Sequence, residues 1–294
     1  MKILLTGATG FLGSHLLDVL LENHYQVVIL KRSFSDTWRI NHLLHKVKSH
    51  DVDKEPLEKS FQENNINVVI HTATHYGRNN DLASKVAETN TLFPLRLLET
   101  AIFFDTVTFF NADTLLHQCL NNYALSKKHF VQWLELFSHT GRIRVVNLKI
   151  EHMYGPKDDK RKFVTWVLRQ MITGTGKIPL TEGEQKRDFV YISDVVNAFL
   201  LVLQKQDNFS PFTEFDVGTG RAISIKAFIL KLKGIVGKAL GKDISAFLDF
   251  GALPYRQGEP MEIAADISKL IELGWNPKIP VDVGLQELVR EELS

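Results

Sequence analysis

The sequence predicts an α/β fold: a doubly wound parallel sheet with a smaller C-terminal lobe. Three observations predict it. Apolar runs of strand length alternate with amphipathic runs of helix length, a glycine-rich turn joins the first such pair, and the alternation loosens after residue 155. Strands buried on both faces read as unbroken apolar runs, as a sheet covered by helices on both sides requires.

In chain order, "KILLTG" reads as the first strand and "SHLLDVLLENH" as the helix behind it. "QVVIL" is a second strand, "HDV" closes a third, and "PLEKSFQENN" has helical spacing. "NVVIHTA" is a fourth strand, "TLFPLRLLETAIFF" a helix, "VTFFNA" a fifth strand, "YALSKKHFVQWLELFSHT" a helix and "IRVVNLKI" a further strand. After "YGPKDD", Gly and Pro become more frequent, and "KDDKRK" reads as a solvated loop. "RDFVYISDVVNAFLLVL" and "FDVGTG" read again as helix and strand.

Composition narrows the partners. The chain has 294 residues, 44% of them hydrophobic, and 35 Lys+Arg against 34 Asp+Glu, so its global charge gives no reason to expect nucleic acid or a membrane surface. One cysteine, Cys119, excludes an internal disulfide framework and a Cys-based zinc cluster; no metal is expected, and the expected compartment is the cytoplasm. The opening apolar run turns into glycines and reads as a strand, with no signal peptide, and no apolar run reaches the roughly 18 to 20 residues of a membrane span.

Gly7, Gly10 and Gly13 in "TGATGFLGSHLL" stand between a strand and a helix. That placement suits a tight turn, close approach of backbone to a pyrophosphate, and close helix-to-strand packing, with the N–H groups of Phe11 and Leu12 at the helix start facing the phosphates. The fold is therefore read as Rossmann-type: 1–155 form a dinucleotide-binding domain to which 188–220 return, and 156–294 form a substrate lobe. An NAD enzyme places an acid after its second strand to hold the adenosine ribose; here stand Lys31, Arg32 and Ser33. Two cations and a hydroxyl suit the 2′-phosphate of NADP, although surface loops also carry such residues. Asp51 and Val52 suit the edge and face of an adenine, and His71 and Ala73 lie at the mouth of the fourth strand. Tyr123 and Lys127 are four apart in "NNYALSKKHF" and share one helix face, where an adjacent ammonium favours the ionised tyrosine.

These motifs, with "YGP", "GEQKRDFVYISDVV" and "GALPYRQGEPMEIAADISKLIELGWNP", run the full length and resemble those of extended short-chain dehydrogenases/reductases of the NAD-dependent epimerase/dehydratase family. Within the branch acting on nucleotide sugars, "ATHYGR", "FFNADTLL", "LKIEHMYGP" and "LTEGEQKRDF" are most similar to CDP-abequose and CDP-paratose synthases, which are NADPH-dependent 4-ketoreductases of dideoxysugar and O-antigen lipopolysaccharide biosynthesis. The resemblance implies that Tyr123 gives a proton to the sugar 4-oxygen while Lys127 holds the nicotinamide ribose and lowers the tyrosine pKa. It adds Asn90 and Ile150 to the NADP(H) site, and gives Thr74, Asp113, His152, Phe163, Arg187 and Arg256 to the nucleotide-sugar substrate, the two arginines on its diphosphate. The family's Ser or Thr at the end of the fifth strand aligns with Ala112, so Thr114 is expected to supply that hydroxyl. Thr114 also stands where dehydratases carry Glu, which disfavours dehydration. The resemblance further implies a homodimer pairing helices over 92–104 and 123–136. Two alternatives stay open: an epimerase that retains NAD, and a non-catalytic NADP-binding sensor, motivated by Ala112. The product epimer at C4 and the nucleobase are open as well.

Overall fold

The computed structural model describes residues 1–294 except Asn79, Thr175 and the side chain of Ala246. Six strands are built by the first 150 residues: β1 (Lys2–Thr6), β2 (Gln26–Lys31), β3 (Lys48–Asp51), β4 (Val68–His71), β5 (Thr108–Thr114) and β6 (Arg144–Ile150). Between them run α1 (Phe11–Glu22), α2 (Leu57–Gln62), α3 (Ala83–Ala87), a π-helical turn (Glu88–Leu92), α4 (Phe93–Phe103) and α5 (Asn122–Ser138). Further on come β7 (His152–Tyr154), α6 (Phe163–Thr173), β8 (Ile178–Leu180), β9 (Lys186–Arg187), β10 (Phe189–Tyr191), α7 (Ile192–Lys205) and β11 (Phe212–Val217). The chain ends with β12 (Ile223–Ser224), α8 (Ile225–Leu240), β13 (Leu248–Phe250), α9 (Ser268–Glu272) and α10 (Val281–Leu293).

The sheet is seven-stranded in the order β3-β2-β1-β4-β5-β6-β11. Neighbours from β3 to β6 pair in parallel, and β11 runs the same way, since Val145 N–H donates to Pro211 and Glu151 N–H to Val217. Strand order reverses between β1 and β4, the place where a doubly wound sheet opens a crevice at the carboxyl ends of its strands. Ile3, Leu4, Leu5, Val69, Phe109, Phe110, Val145 and Val146 are sealed from solvent, and Phe130 and Leu134 of α5 join Leu97 and Leu98 of α4 against one face. Burying each such side chain stabilises the fold by about 1.5 to 3 kcal/mol.

Two compact units divide the chain: Met1–Ile150 with Val196–Asp216, and Glu151–Val195 with Val217–Ser294. The segment returning to the first unit is thus narrower than 188–220, and Asp188 provides the reason. Its carboxylate, fully buried, accepts from the N–H groups of Thr219, Gly220 and Ala265 and from the Thr219 hydroxyl, which ties 218–220 into the second unit. A Cβ on Gly218 would meet Asp188 Oδ2 at 2.5 Å, so only glycine lets that loop close on the carboxylate. Asp194 does similar work, accepting from the N–H groups of Lys278 and Ile279 while its own carbonyl takes the Trp275 indole N–H. Among the described residues no helix is long and apolar enough to cross a membrane.

Asp188→Ala removes the acceptor of three backbone donors at once, and each buried donor left unpaired costs about 1 to 3 kcal/mol. A loss of at least about 3 kcal/mol is expected, read as a lowered urea midpoint; a midpoint equal to that of the wild type would show that water serves these donors as well.

Candidate active site

The first unit assembles its polar groups at the carboxyl ends of the central strands. Gly7 has φ +70°, a conformation that disfavours any side chain, and a Cβ there would lie 2.6 Å from Ala73 N and 2.7 Å from Thr72 Oγ1. A Cβ on Gly13 would overlap the Gly7 carbonyl. The glycines therefore bring α1, the β1 turn and the end of β4 into direct contact. Gly10 is the N-cap of α1 with no side-chain cap, and the first turn, holding Phe11 and Leu12, carries no acid. N–H groups left open at the start of a twelve-residue helix favour an anion, so this loop fits the pyrophosphate of a dinucleotide.

After β2 the chain turns back on itself. Arg32 Nε donates to Asp53 Oδ1 at 2.8 Å, Ser33 N–H to Asp53 Oδ2 at 2.9 Å, and Ser33 Oγ to Asp51 Oδ2 at 2.7 Å. The expected cationic site therefore contains two carboxylates, and the Ser33 hydroxyl holds the Asp51 carboxyl below its ordinary value. Lys31 is half-buried at the strand end, and Val52 packs on the core, its N–H bound to Lys31 O. Arg39, which no sequence signal marked, donates to the Thr9 carbonyl in the glycine loop at 3.2 Å.

Two residues expected at the dinucleotide make inward contacts. His71 is fully buried: its Nδ1 pairs with Thr6 Oγ1 at 2.8 Å, its ring lies among Phe93, Phe109 and Phe130, and burial together with nearby Lys127 holds it neutral, well below its ordinary pKa. Asn90, in the π-helical turn, is also sealed; its amide spans the backbone of His75 and the Ser126 hydroxyl, and Thr74 Oγ1 donates to its Oδ1 at 3.3 Å. Ser126 in turn donates to the Tyr123 carbonyl, so Asn90 fixes the first turn of α5. The amide of Asn90 is thereby saturated, and His71 is buried with the whole of β4. Ala73 lines the turn, and Ile150 is buried at the end of β6.

Helix α5 begins at Asn121, whose Oδ1 caps the Ala124 N–H at 2.8 Å. Tyr123 is in its first turn, half-buried, and hydrogen-bonded to the Thr114 side chain. Its ring lies 4.9 Å from that of Tyr76, which sequence reasoning passed over although "ATHYGR" directly follows β4. Burial, then Tyr76 and Asp113, push the phenol well above its ordinary pKa. Desolvation dominates, and the group is a protonated phenol. Lys127 itself is 1% exposed, and burial pulls its ammonium down to about 8 against the opposing pull of Asp113.

Residues two apart on a strand share a face, so Thr114 repeats the position of Ala112 one step farther along β5. Asp113 points the other way. Expected at the substrate, its carboxylate is completely covered, taking Lys128 Nζ at 2.7 Å and Asn147 Nδ2 at 3.3 Å, and Lys128 also donates to the Thr114 carbonyl at 2.5 Å. Asn147 continues to Glu214 at 2.8 Å and accepts from Asn111 at 2.8 Å.

In the second unit, Arg187 is nearly buried and its Nη2 donates to Glu259 Oε1 at 2.6 Å, while the Arg256 N–H reaches the same carboxylate at 3.4 Å. Glu259 thus meets the Arg187 guanidinium and the Arg256 backbone. His152 Nδ1 pairs with Glu151 at 2.7 Å, and Phe163 opens α6 with 38% of its surface exposed. No group of three or more metal-ligating side chains occurs among the described residues.

Comparison with known proteins agrees with this geometry. Residues 3–218 match the NAD dependent epimerase/dehydratase family. CDP-abequose synthase of Salmonella muenchen is 34% identical over 98% of this chain and 97% of its own length, and that of Salmonella typhimurium is 31% identical over the same shares. The solved UDP-glucuronic acid 4-epimerase of Bacillus cereus, in complex with UDP-glucuronic acid and NAD, superposes with a TM-score of 0.86 at 26% identity, covering 100% of both chains.

A lysine held down at about 8, against 10.5 unfolded, binds fewer protons folded than unfolded between those pH values. Its burial penalty is therefore full below pH 8 and is relieved as pH rises toward 10.5. Lys127→Met is expected to stabilise the dinucleotide-free protein at pH 7 by up to about 3 kcal/mol, with the gain vanishing near pH 10.5; urea unfolding at both pH values measures it, and a destabilised variant at pH 7 would refute it.

Proposed function

The chain belongs to the NAD-dependent epimerase/dehydratase family, and within it we propose an NADPH-dependent ketoreductase that converts a nucleotide-linked 4-keto-deoxyhexose, CDP-4-keto-3,6-dideoxyglucose, to CDP-abequose or CDP-paratose. One observation carries the reading: a protonated Tyr123 phenol joined to the Thr114 hydroxyl, one helical turn from the buried Lys127 ammonium. A carbonyl that gains negative charge needs a positioned acid, and this phenol is one. The relatives at 34% and 31% identity support the CDP-sugar.

The glycine loop and Lys127 would hold NADPH, whose chemistry there would be hydride transfer to C4 of the sugar. Tyr123 donates its proton to the C4 oxygen, and Thr114 holds that oxygen in line. Lys127 grips the nicotinamide ribose and stabilises the phenolate that remains. The glycine loop takes the pyrophosphate on the N–H groups of α1. Arg187 and Arg256 receive the substrate diphosphate in place of Glu259, Phe163 covers the base, and His152 lies beside the diphosphate. Leu92, Phe103, Trp133 and Leu136, all exposed along 92–136, suit the pairing of two copies.

A second reading, an epimerase retaining NAD, is favoured by the acids behind the adenosine site. Asp51 accepts from Ser33 and Asp53 occupies Arg32 Nε, which leaves that guanidinium half neutralised toward a 2′-phosphate. Fluorescence titration with NADPH and NADH separates the two readings. A preference for NADPH of about tenfold, or roughly 1.4 kcal/mol, that collapses in Arg32→Ala is expected; equal affinities, or NAD that stays bound through purification, would favour the epimerase. Tyr123→Phe is expected to lower the reductase rate by about 10²- to 10⁴-fold with dinucleotide affinity kept, and an unchanged rate would remove Tyr123 as the acid.

A further inference from the structure

The Asp113–Lys128 pair has no part in holding a ligand as described so far, yet Asp113 adjoins Thr114 on β5 and Lys128 adjoins Lys127 on α5. Asp113 extends from β5 toward the face that α5 covers, and its carboxylate has no exposed surface. One oxygen, Oδ2, takes Lys128 and Asn147, whereas Oδ1 is buried without a hydrogen-bond partner. A sealed carboxylate with one oxygen unpaired is costly, and it acts at short range in a low dielectric. The titratable groups facing it among the described residues are neutral His71 on β4, Tyr123, Lys127 and Lys128 on α5, Lys149 on β6, and Glu214 and Asp216 on β11, the last two paired with Lys149.

We propose that the Asp113–Lys128 pair governs the charge carried by Lys127, Asp113 serving as its buried counter-ion and Lys128 limiting how much of that negative charge Lys127 receives. Both are positioning residues, acting through Lys127. The inference rests on the reading of Lys127 as the group that grips the nicotinamide ribose. Asp113 opposes the burial that deprotonates Lys127, and Lys128 adds to it, so the two side chains pull in opposite directions. With Lys127 held near 8, modest changes in either neighbour move its charge across the working pH range.

The test is the pH dependence of dinucleotide affinity in the full chain, followed by fluorescence with NADPH and with NADH from about pH 6.5 to 9.5, alongside ketone reduction. The wild type is expected to lose affinity as Lys127 deprotonates. Asp113→Asn should move that loss to lower pH and Lys128→Gln to higher pH, each by about half a unit or more, while Lys128→Arg keeps the wild-type midpoint. A pair that only braces β5 against α5 would lower melting temperatures and leave the midpoints together. Displacement of both variants in the same direction, coincidence of Lys128→Gln with wild type, or a wild-type affinity flat to pH 9.5 would overturn the inference. Should Asp113→Asn not fold, the Lys128→Gln and Lys128→Arg comparison still decides. Absence of ketone reduction with either dinucleotide would sink the proposed reaction, and the binding midpoints would judge this inference regardless.

Discussion

The first unit depends on the absence of a side chain at Gly7. Its left-handed turn brings the end of β1 so near the end of β4 that a Cβ would meet backbone atoms of Thr72 and Ala73 at 2.6 to 2.7 Å. That contact lies where strand order reverses, and the start of α1, without a side-chain cap, follows directly from it. Thr6, the residue before, completes the arrangement: its hydroxyl meets His71, and its carbonyl takes the Thr72 hydroxyl.

The carboxyl ends of the strands carry a second constraint. Apolar packing fills the sheet up to Phe109 and Val145, but the next residues toward α5 are Asn111, Asp113, Asn147 and Lys149. Polar groups buried under a helix cost several kcal/mol unless paired, and most of these are paired. Lys128 neutralises Asp113, Asn147 joins β5 to β11 through Glu214, and Lys149 meets Asp216. Such a layer holds α5 in a fixed register on the sheet, and with it the separation of Tyr123 from Thr114. The second unit applies the same principle with carboxylates alone: Asp188 and Asp194 each collect backbone donors from distant loops.

Both carboxylates belong to "KRDFVYISD", part of a motif that carries the family resemblance. Its two cations, Lys186 and Arg187, each already meet a carboxylate, Glu262 and Glu259. A long motif can thus mark architecture as readily as chemistry, because a buried carboxylate that holds two separate segments by their backbone donors leaves those donors unpaired when it is replaced.

The sequence by itself determined the succession of strands and helices up to β6, the glycine turn, and the helix that carries Tyr123 one turn before Lys127. All of these are written in local periodicity and spacing, over distances of a few residues. Tertiary structure alone decided which neighbours those side chains would meet. His71 and Asn90 make inward contacts with Thr6 and Ser126. Asp53 reached Arg32 across 21 positions and Asn147 reached Glu214 across 67. The phenol of Tyr123 was raised by burial, which no spacing reveals, since desolvation depends on every atom packed around a group and on how completely water is excluded.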